Sequence, residues 1–200
     1  MDGGQGLSEP VGMQLEHDDL QKITRQLGRE PRAVLGVAKR CEAGHPQVIV
    51  TYPLIWEKGH PHIFPTLYWL TCPALNQAIG RFETEGWIGR LQEQLATDVT
   101  LSSAWQAAHA DYARARVLLV PPKELAQLRE EYPGQAKVLE EAGVGGIRGA
   151  GIKCLHTNFA HSLAKATNPI GELVAELLAQ GDTVIDFCYD DELERFCSLD

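Results

Sequence analysis

The sequence predicts an α+β fold, a small antiparallel sheet near the N-terminus packed against a mostly helical remainder. Three observations carry this. Runs rich in Val and Ile, separated by short turns, are confined to residues 32–72. From Pro73 onward, apolar residues recur at helical spacing between Pro and Gly breaks. Hydrophobic residues make up 44% of the 200, enough to build a core rather than leave the chain disordered.

The elements follow in order. Residues 1–16 are read as a flexible arm, because the opening "MDGGQGLSEPVG" has too little apolar surface to offset the entropy of ordering. Residues 17–200 are read as one α+β domain. His17 to Leu27 places Leu20, Ile23 and Leu27 on one helical face, with Gly28 to end it. "RAVLGVAKRC" and "PQVIVTYPLIW" read as two strands joined by the turn "EAGHP". "EKGHPH" reads as a second turn and "TLYWLTC", Thr66 to Cys72, as a third strand.

Pro73 suits the first turn of a helix running to about Glu85. "GWIGRLQEQLA" starts another, and "DVTLSSAWQAAHADYARARVLL" forms a third with an alanine-rich middle, broken by Pro121 and Pro122. "KELAQLREEY" and a short helix to Glu141 follow, then a glycine loop from Gly143 to Gly151. "CLHTNFAHSLAKA" buries Leu155, Phe159 and Leu163. "NPIGELVAELLAQ" starts with Asn168 as N-cap and Pro169 in the first position. The tail "TVIDFCYDDELERFCSLD" suggests a strand and a short helix.

Composition narrows the function classes. No run approaches the ~18 apolar residues of a membrane span, and no basic-then-apolar leader opens the chain, so a cytoplasmic location is expected. A formal net charge of −9 repels phosphate backbones. The basic stretch from Arg25 to Arg40 is dilute and interrupted by Glu30, so nucleic acid is disfavoured as a partner; an acidic surface fits a protein partner better. Five cysteines, an odd count, argue for free thiols or metal ligands rather than a disulfide framework.

Cys72 and Cys154 both stand at predicted helix starts, where N–H groups and the macrodipole favour a thiolate. Arg148 and Lys153 lie close to Cys154 in sequence and favour the same form. The loop "GVGGIRGAG" lacks the ending of a P-loop and follows no clear strand, so no anion site is assigned to it. Cys154 and His161, seven residues apart, would lie ~10 Å apart along a straight helix, too far for one ion. Cys154 and His156 share an ion only if both precede the helix. Cys41 adds a C-x3-H spacing with His45, and no C-x-x-C pair is present. Asn158, four residues after Cys154, could face the same way as part of a cysteine-nucleophile set. Cys188, Cys197 and the tail aspartates Asp182, Asp186, Asp190 and Asp191 receive no role.

The segments "LGREPRAVLGVAKRC", "FPTLYWLTCP", "GIKCLHTNFAHSLA" and "NPIG", in this order, resemble DUF501, a bacterial family of unknown function. The resemblance spans roughly Asp18 to Leu178. It implies a compact cytosolic domain, with family cysteines at Cys41, Cys72 and Cys154, histidines at His156 and His161, and the Asn168-Pro169 pair. The chain departs from that pattern in its glycine-rich "GIRGAG" and in its acidic tail.

Three functions follow as expectations. The first is a zinc-binding protein, with Cys41, Cys72, Cys154 and His156 as ligands and His161 as the alternative. The second is a thiol-dependent enzyme with Cys72 or Cys154 as nucleophile and a histidine as base. The third is a non-catalytic interaction module in which the cysteines are core residues.

Overall fold

The computed structural model describes residues 14–165 and 167–180, together with the backbone of 187–190 and 195–198. Most of the expected N-terminal arm and the tail aspartates Asp182, Asp186 and Asp191 lie outside the described residues. The fold is α+β, as the pattern of runs predicts. Helix α1 (Asp19–Leu27) leads into strands β1 (Val34–Arg40) and β2 (Pro46–Thr51), then a hairpin of β3 (Leu54–Glu57) and β4 (His60–Ile63), then β5 (Tyr68–Leu70). Helices α2 (Pro73–Thr84), α3 (Trp87–Thr97), α4 (Val99–Leu118), α5 (Pro122–Glu131), α6 (Pro133–Glu141), α7 (Leu155–Lys165) and α8 (Pro169–Gln180) follow. Strands β6 (Phe187–Asp190) and β7 (Arg195–Ser198) pair antiparallel in the tail, so a strand replaces the short helix expected there.

The sheet order β1-β2-β5 is antiparallel throughout. Side chains alternate across β2 as the pleat requires. Val48 and Val50 join Tyr68 and Leu70 in the large core beneath the helices, while Ile49 turns to the other face with Val37 and Ile23 of α1. The expected single strand from Pro46 to Trp56 is interrupted. Pro53 lacks an amide hydrogen, and Tyr52 leaves the ladder by donating its own to the Ala33 carbonyl at 2.8 Å. The second half becomes β3, and "EKGHPH" is more than a turn: it holds the Lys58-Gly59 loop, both at positive φ, and most of β4. Trp56 Nε1 donates to Glu124 at 2.7 Å and Tyr52 donates to the same carboxylate, which ties this region to α5.

Arg40, from the basic stretch, is fixed in place rather than free. Its guanidinium grips buried Asp19 with two bonds of 2.8 and 2.6 Å and locks α1 to β1.

Helix α4 carries the central polar anchors, neither of which periodicity reveals. Arg116 is fully buried. Its Nε donates to the Leu139 carbonyl at 2.7 Å, Nη1 to Pro65 at 2.9 Å, and Nη2 to Ala142. Leu139 and Ala142 end α6, where exposed carbonyls and the dipole favour a cation. Four residues back, the Tyr112 hydroxyl accepts the Leu67 and Tyr68 amides at 2.6 and 3.3 Å, so α4 also holds the start of β5.

The glycine loop is a packing device. A Cβ at Gly143 would lie 1.9 Å from His109 Nδ1, the atom that accepts the Val144 amide at 2.9 Å. The Trp105 indole donates to the Ala150 carbonyl at 3.0 Å and Gln92 to the Ile152 carbonyl at 3.1 Å. The loop thereby delivers the chain to α7 in a fixed position.

His161 is a core residue. It is fully buried, stacked on Tyr68 with centroids 5.5 Å apart and edge-on to Tyr112 at 4.9 Å. Burial lowers its pKa to about 4, opposed only in part by Asp111.

Two outcomes follow. Arg116→Met keeps the apolar stem but strands three carbonyls, and we expect it to lower unfolding free energy by at least about 3 kcal/mol in denaturant titration. A loss of less than about 1 kcal/mol would contradict the anchor. The His161 pKa lies below its unfolded value of about 6.5. Its contribution is therefore complete above that pH and is lost as pH falls toward about 4. In NMR titration of the folded chain, His161 should stay neutral at pH values where exposed histidines are already charged; titration together with them would contradict its placement.

Candidate metal centre

Helix α7 begins at Leu155, so Cys154 stands just outside it and His156 lies in its first turn. Spacing alone asks both residues to precede the helix if they are to share an ion; in the structure their side chains meet with only Cys154 outside it. Cys154 Sγ lies 3.6 Å from His156 Nδ1. The third member is Glu83, in the last turn of α2. Its Oε1 accepts the Leu155 amide at 2.6 Å and lies 3.1 Å from His156 Nδ1. A carboxylate at this position satisfies a helix-terminal N–H and complements the dipole. The opposite edge of the ring is fixed as well: His156 Nε2 lies 3.0 Å from the Asn76 carbonyl, and Asn76 Nδ2 donates to the Leu70 carbonyl at 3.1 Å. A carbonyl only accepts, so Nε2 carries a proton and Nδ1 is the atom turned toward Glu83 and Cys154.

Electrostatics follow from these contacts. Burial raises the Cys154 pKa, but hydrogen bonding from His156 and the Thr157 amide outweighs it and holds the thiol below its ordinary value. Burial lowers the His156 pKa, and the contacts to Cys154, the Asn76 carbonyl and Glu83 override it, raising the value to about 9. The pair therefore favours a thiolate on Cys154 and a charged imidazole on His156.

Ligand-type atoms of Glu83, Cys154 and His156 all lie within 4.8 Å of one another, the one such group of three among the described residues. Cys154 and His156 belong to the set expected from sequence; Cys41, Cys72 and His161 are not members of this group. Cys72 does stand at the N-cap of α2, and the Leu75 and Ala74 amides do pull its pKa down. The expected thiolate there is nevertheless corrected. Cys72 is only 6% exposed, and burial pushes its thiol above the ordinary value, with nearby Cys41 adding to the rise. Cys41 is half-buried just after β1, its amide bonded to the His45 carbonyl at 2.9 Å. Asn158 faces Cys154 as its spacing suggested, but it bonds the carbonyl of that residue at 2.7 Å rather than the thiol or the imidazole. The side chains of Cys188 and Cys197 lie outside the described residues.

Glu83 was missed because it stands 73 residues before His156 and forms no spacing motif with it. Only the pairing of α2 with α7 brings it in. Two of the three donor edges can be set against the dimensions of a tetrahedral site. Bonds of ~2.3 Å to sulfur and ~2.0 Å to nitrogen or oxygen give a sulfur–nitrogen edge of roughly 3.5 Å and a nitrogen–oxygen edge of roughly 3.3 Å. The observed edges are 3.6 and 3.1 Å.

No helix among the described residues is long and apolar enough to cross a membrane. No curated protein and no solved structure matches the chain. The model of the family described as "Protein of unknown function (DUF501)" matches residues 37–176, which include most of the sheet, Glu83, Cys154 and His156. The chain belongs to the DUF501 family.

Proposed function

We propose that this chain is a metal-binding protein in which Glu83, Cys154 and His156 supply three ligands to one zinc ion. The observation that carries the reading is the convergence of Sγ, Nδ1 and a carboxylate oxygen within 4.8 Å of one another, with Nδ1 3.6 Å from the sulfur and 3.1 Å from the oxygen, and with Nε2–H of His156 anchored on a backbone carbonyl. An anchored second nitrogen is the usual outer support of a metal-bound imidazole. A mixed set of one sulfur, one nitrogen and one oxygen suits zinc among the biological cations. Three protein ligands leave a fourth position for water or a substrate atom, the arrangement of catalytic rather than structural zinc. The ion would bridge α2 and α7, so part of its binding free energy would stabilise that helix pair.

Protein purified without a metal-affinity tag should contain about one zinc per chain by elemental analysis. Cys154→Ser, His156→Ala and Glu83→Gln should each weaken zinc by more than the ~10–100-fold that an outer-shell partner is worth. Cys41→Ala and Cys72→Ala should leave affinity nearly unchanged. Loss of zinc in the Cys41 and Cys72 variants, with retention in Glu83→Gln, would restore the cysteine-rich set expected from sequence. Since Nδ1 must give up its proton to bind metal, uptake near pH 7 should release protons, measurable by calorimetry in buffers of different ionisation enthalpy.

A second reading is favoured by the 3.6 Å contact between Cys154 and His156. In the metal-free chain this pair makes Cys154 the candidate nucleophile, with His156 as its acid–base partner. Alkylation mapped by mass spectrometry should modify Cys154 before buried Cys72, and zinc should protect Cys154. Faster modification of Cys72 would remove this reading.

A further inference from the structure

The peptide unit joining Cys154 to Leu155 is gripped from both sides. Its N–H is held by Glu83 at 2.6 Å, and its carbonyl accepts from Asn158 Nδ2 at 2.7 Å. The second grip continues into the interior. Asn158 Oδ1 accepts from Asn168 Nδ2 at 3.0 Å, and that same nitrogen lies 3.2 Å from His161 Nδ1. Asn168 Oδ1 accepts the Gly171 amide at 2.9 Å, capping α8. With its oxygen facing an N–H and its nitrogen facing two acceptors, the Asn168 amide has one possible orientation. Gly171 presses α8 onto this chain, since a Cβ there would meet the Asn158 carbonyl oxygen at 2.5 Å.

Asn158 is 2% exposed and Asn168 fully buried, and helices α7 and α8 bury Leu155, Phe159, Ile170 and Val174 in the large core. Buried amides in such a place are costly unless paired, and asparagine is a poor residue inside a helix. Capping α8 accounts for the oxygen of Asn168. It accounts for neither the nitrogen of Asn168 nor any atom of Asn158.

We infer that Asn158 and Asn168 are positioning residues for Cys154. They fix the plane of the Cys154–Leu155 peptide, and with it the direction in which the Cys154 sulfur leaves the chain toward His156 and Glu83. This rests on the reading of Cys154 as a zinc ligand. Asn168 is therefore coupled to a site it does not touch, through Asn158 and the Cys154 carbonyl.

Asn168→Asp separates this role from capping. Aspartate caps a helix as well as asparagine does, so the bond to Gly171 is retained. In its ionised form it cannot donate to Asn158 or His161. Its negative charge would, by Coulomb attraction alone, strengthen cation binding, so a weaker site cannot be assigned to charge. Zinc competition titrations on the full chain should show about a tenfold or greater loss of affinity in Asn168→Asp, similar to Asn168→Ala and to Asn158→Ala. Circular dichroism should show Asn168→Asp folded. Wild-type affinity in folded Asn168→Asp overturns the inference. If that variant does not fold, Asn158→Ala tests the last link alone, with the same two outcomes. If the wild-type chain binds no zinc, the metal reading fails separately. The positioning role is then read from alkylation of Cys154, which should change several-fold in the same variants; an unchanged rate overturns it.

Discussion

The Cys154–Leu155 peptide unit is the point on which the candidate centre depends. Its N–H ends on the Glu83 carboxylate and its carbonyl on the Asn158 amide. The first contact sets where α7 begins, because the carboxylate takes a terminal amide that the helix itself cannot satisfy. Starting the helix there leaves Cys154 outside it and places His156 in the first turn, so residues two apart can face one another. The same carboxylate oxygen lies beside the His156 ring, so one side chain both starts the helix and completes the cluster.

The frame around this peptide is held by polar groups of α4 rather than by apolar burial alone. Arg116 gathers the end of α6 and the Pro65 carbonyl; Tyr112 takes the amides that open β5. β5 then presents the Leu70 carbonyl to Asn76, whose own carbonyl faces His156 Nε2. Hydrogen bonds at both ends of β5 thus tie α4 to the strand and the strand, through α2, to the imidazole. Burying an arginine in this way is unfavourable for its charge, and its pKa falls to about 10 as a result. Three carbonyl acceptors and the negative end of α6 make the position tolerable.

Much of this was legible in the sequence, and the failures are physical. Gly28, Pro73 and Asn168 mark helix ends as their chemistry requires, and the α+β division follows from where period-two runs give way to helical spacing. The run from Pro46 to Trp56 reads as one strand because Val, Ile, Tyr and Trp all favour strands; the missing amide of Pro53 and the positive φ of Lys58 and Gly59 decide otherwise. Cys72 shows two effects of opposite sign at one atom. The helix start was visible in the sequence, but the depth of burial that outweighs it was not. Glu83 and Arg116 were invisible for a common reason: each is defined by partners far away in the chain, and a charged residue on a helix ordinarily reads as solvent-facing.

The most direct test of the central claim is zinc-edge X-ray absorption on the purified, zinc-loaded chain. The account predicts one sulfur scatterer at ~2.3 Å and nitrogen or oxygen scatterers at ~2.0 Å, one of them with the multiple-scattering signature of imidazole. Three sulfur scatterers would contradict it, since only Cys154 among the described cysteines belongs to the group around His156 and Glu83.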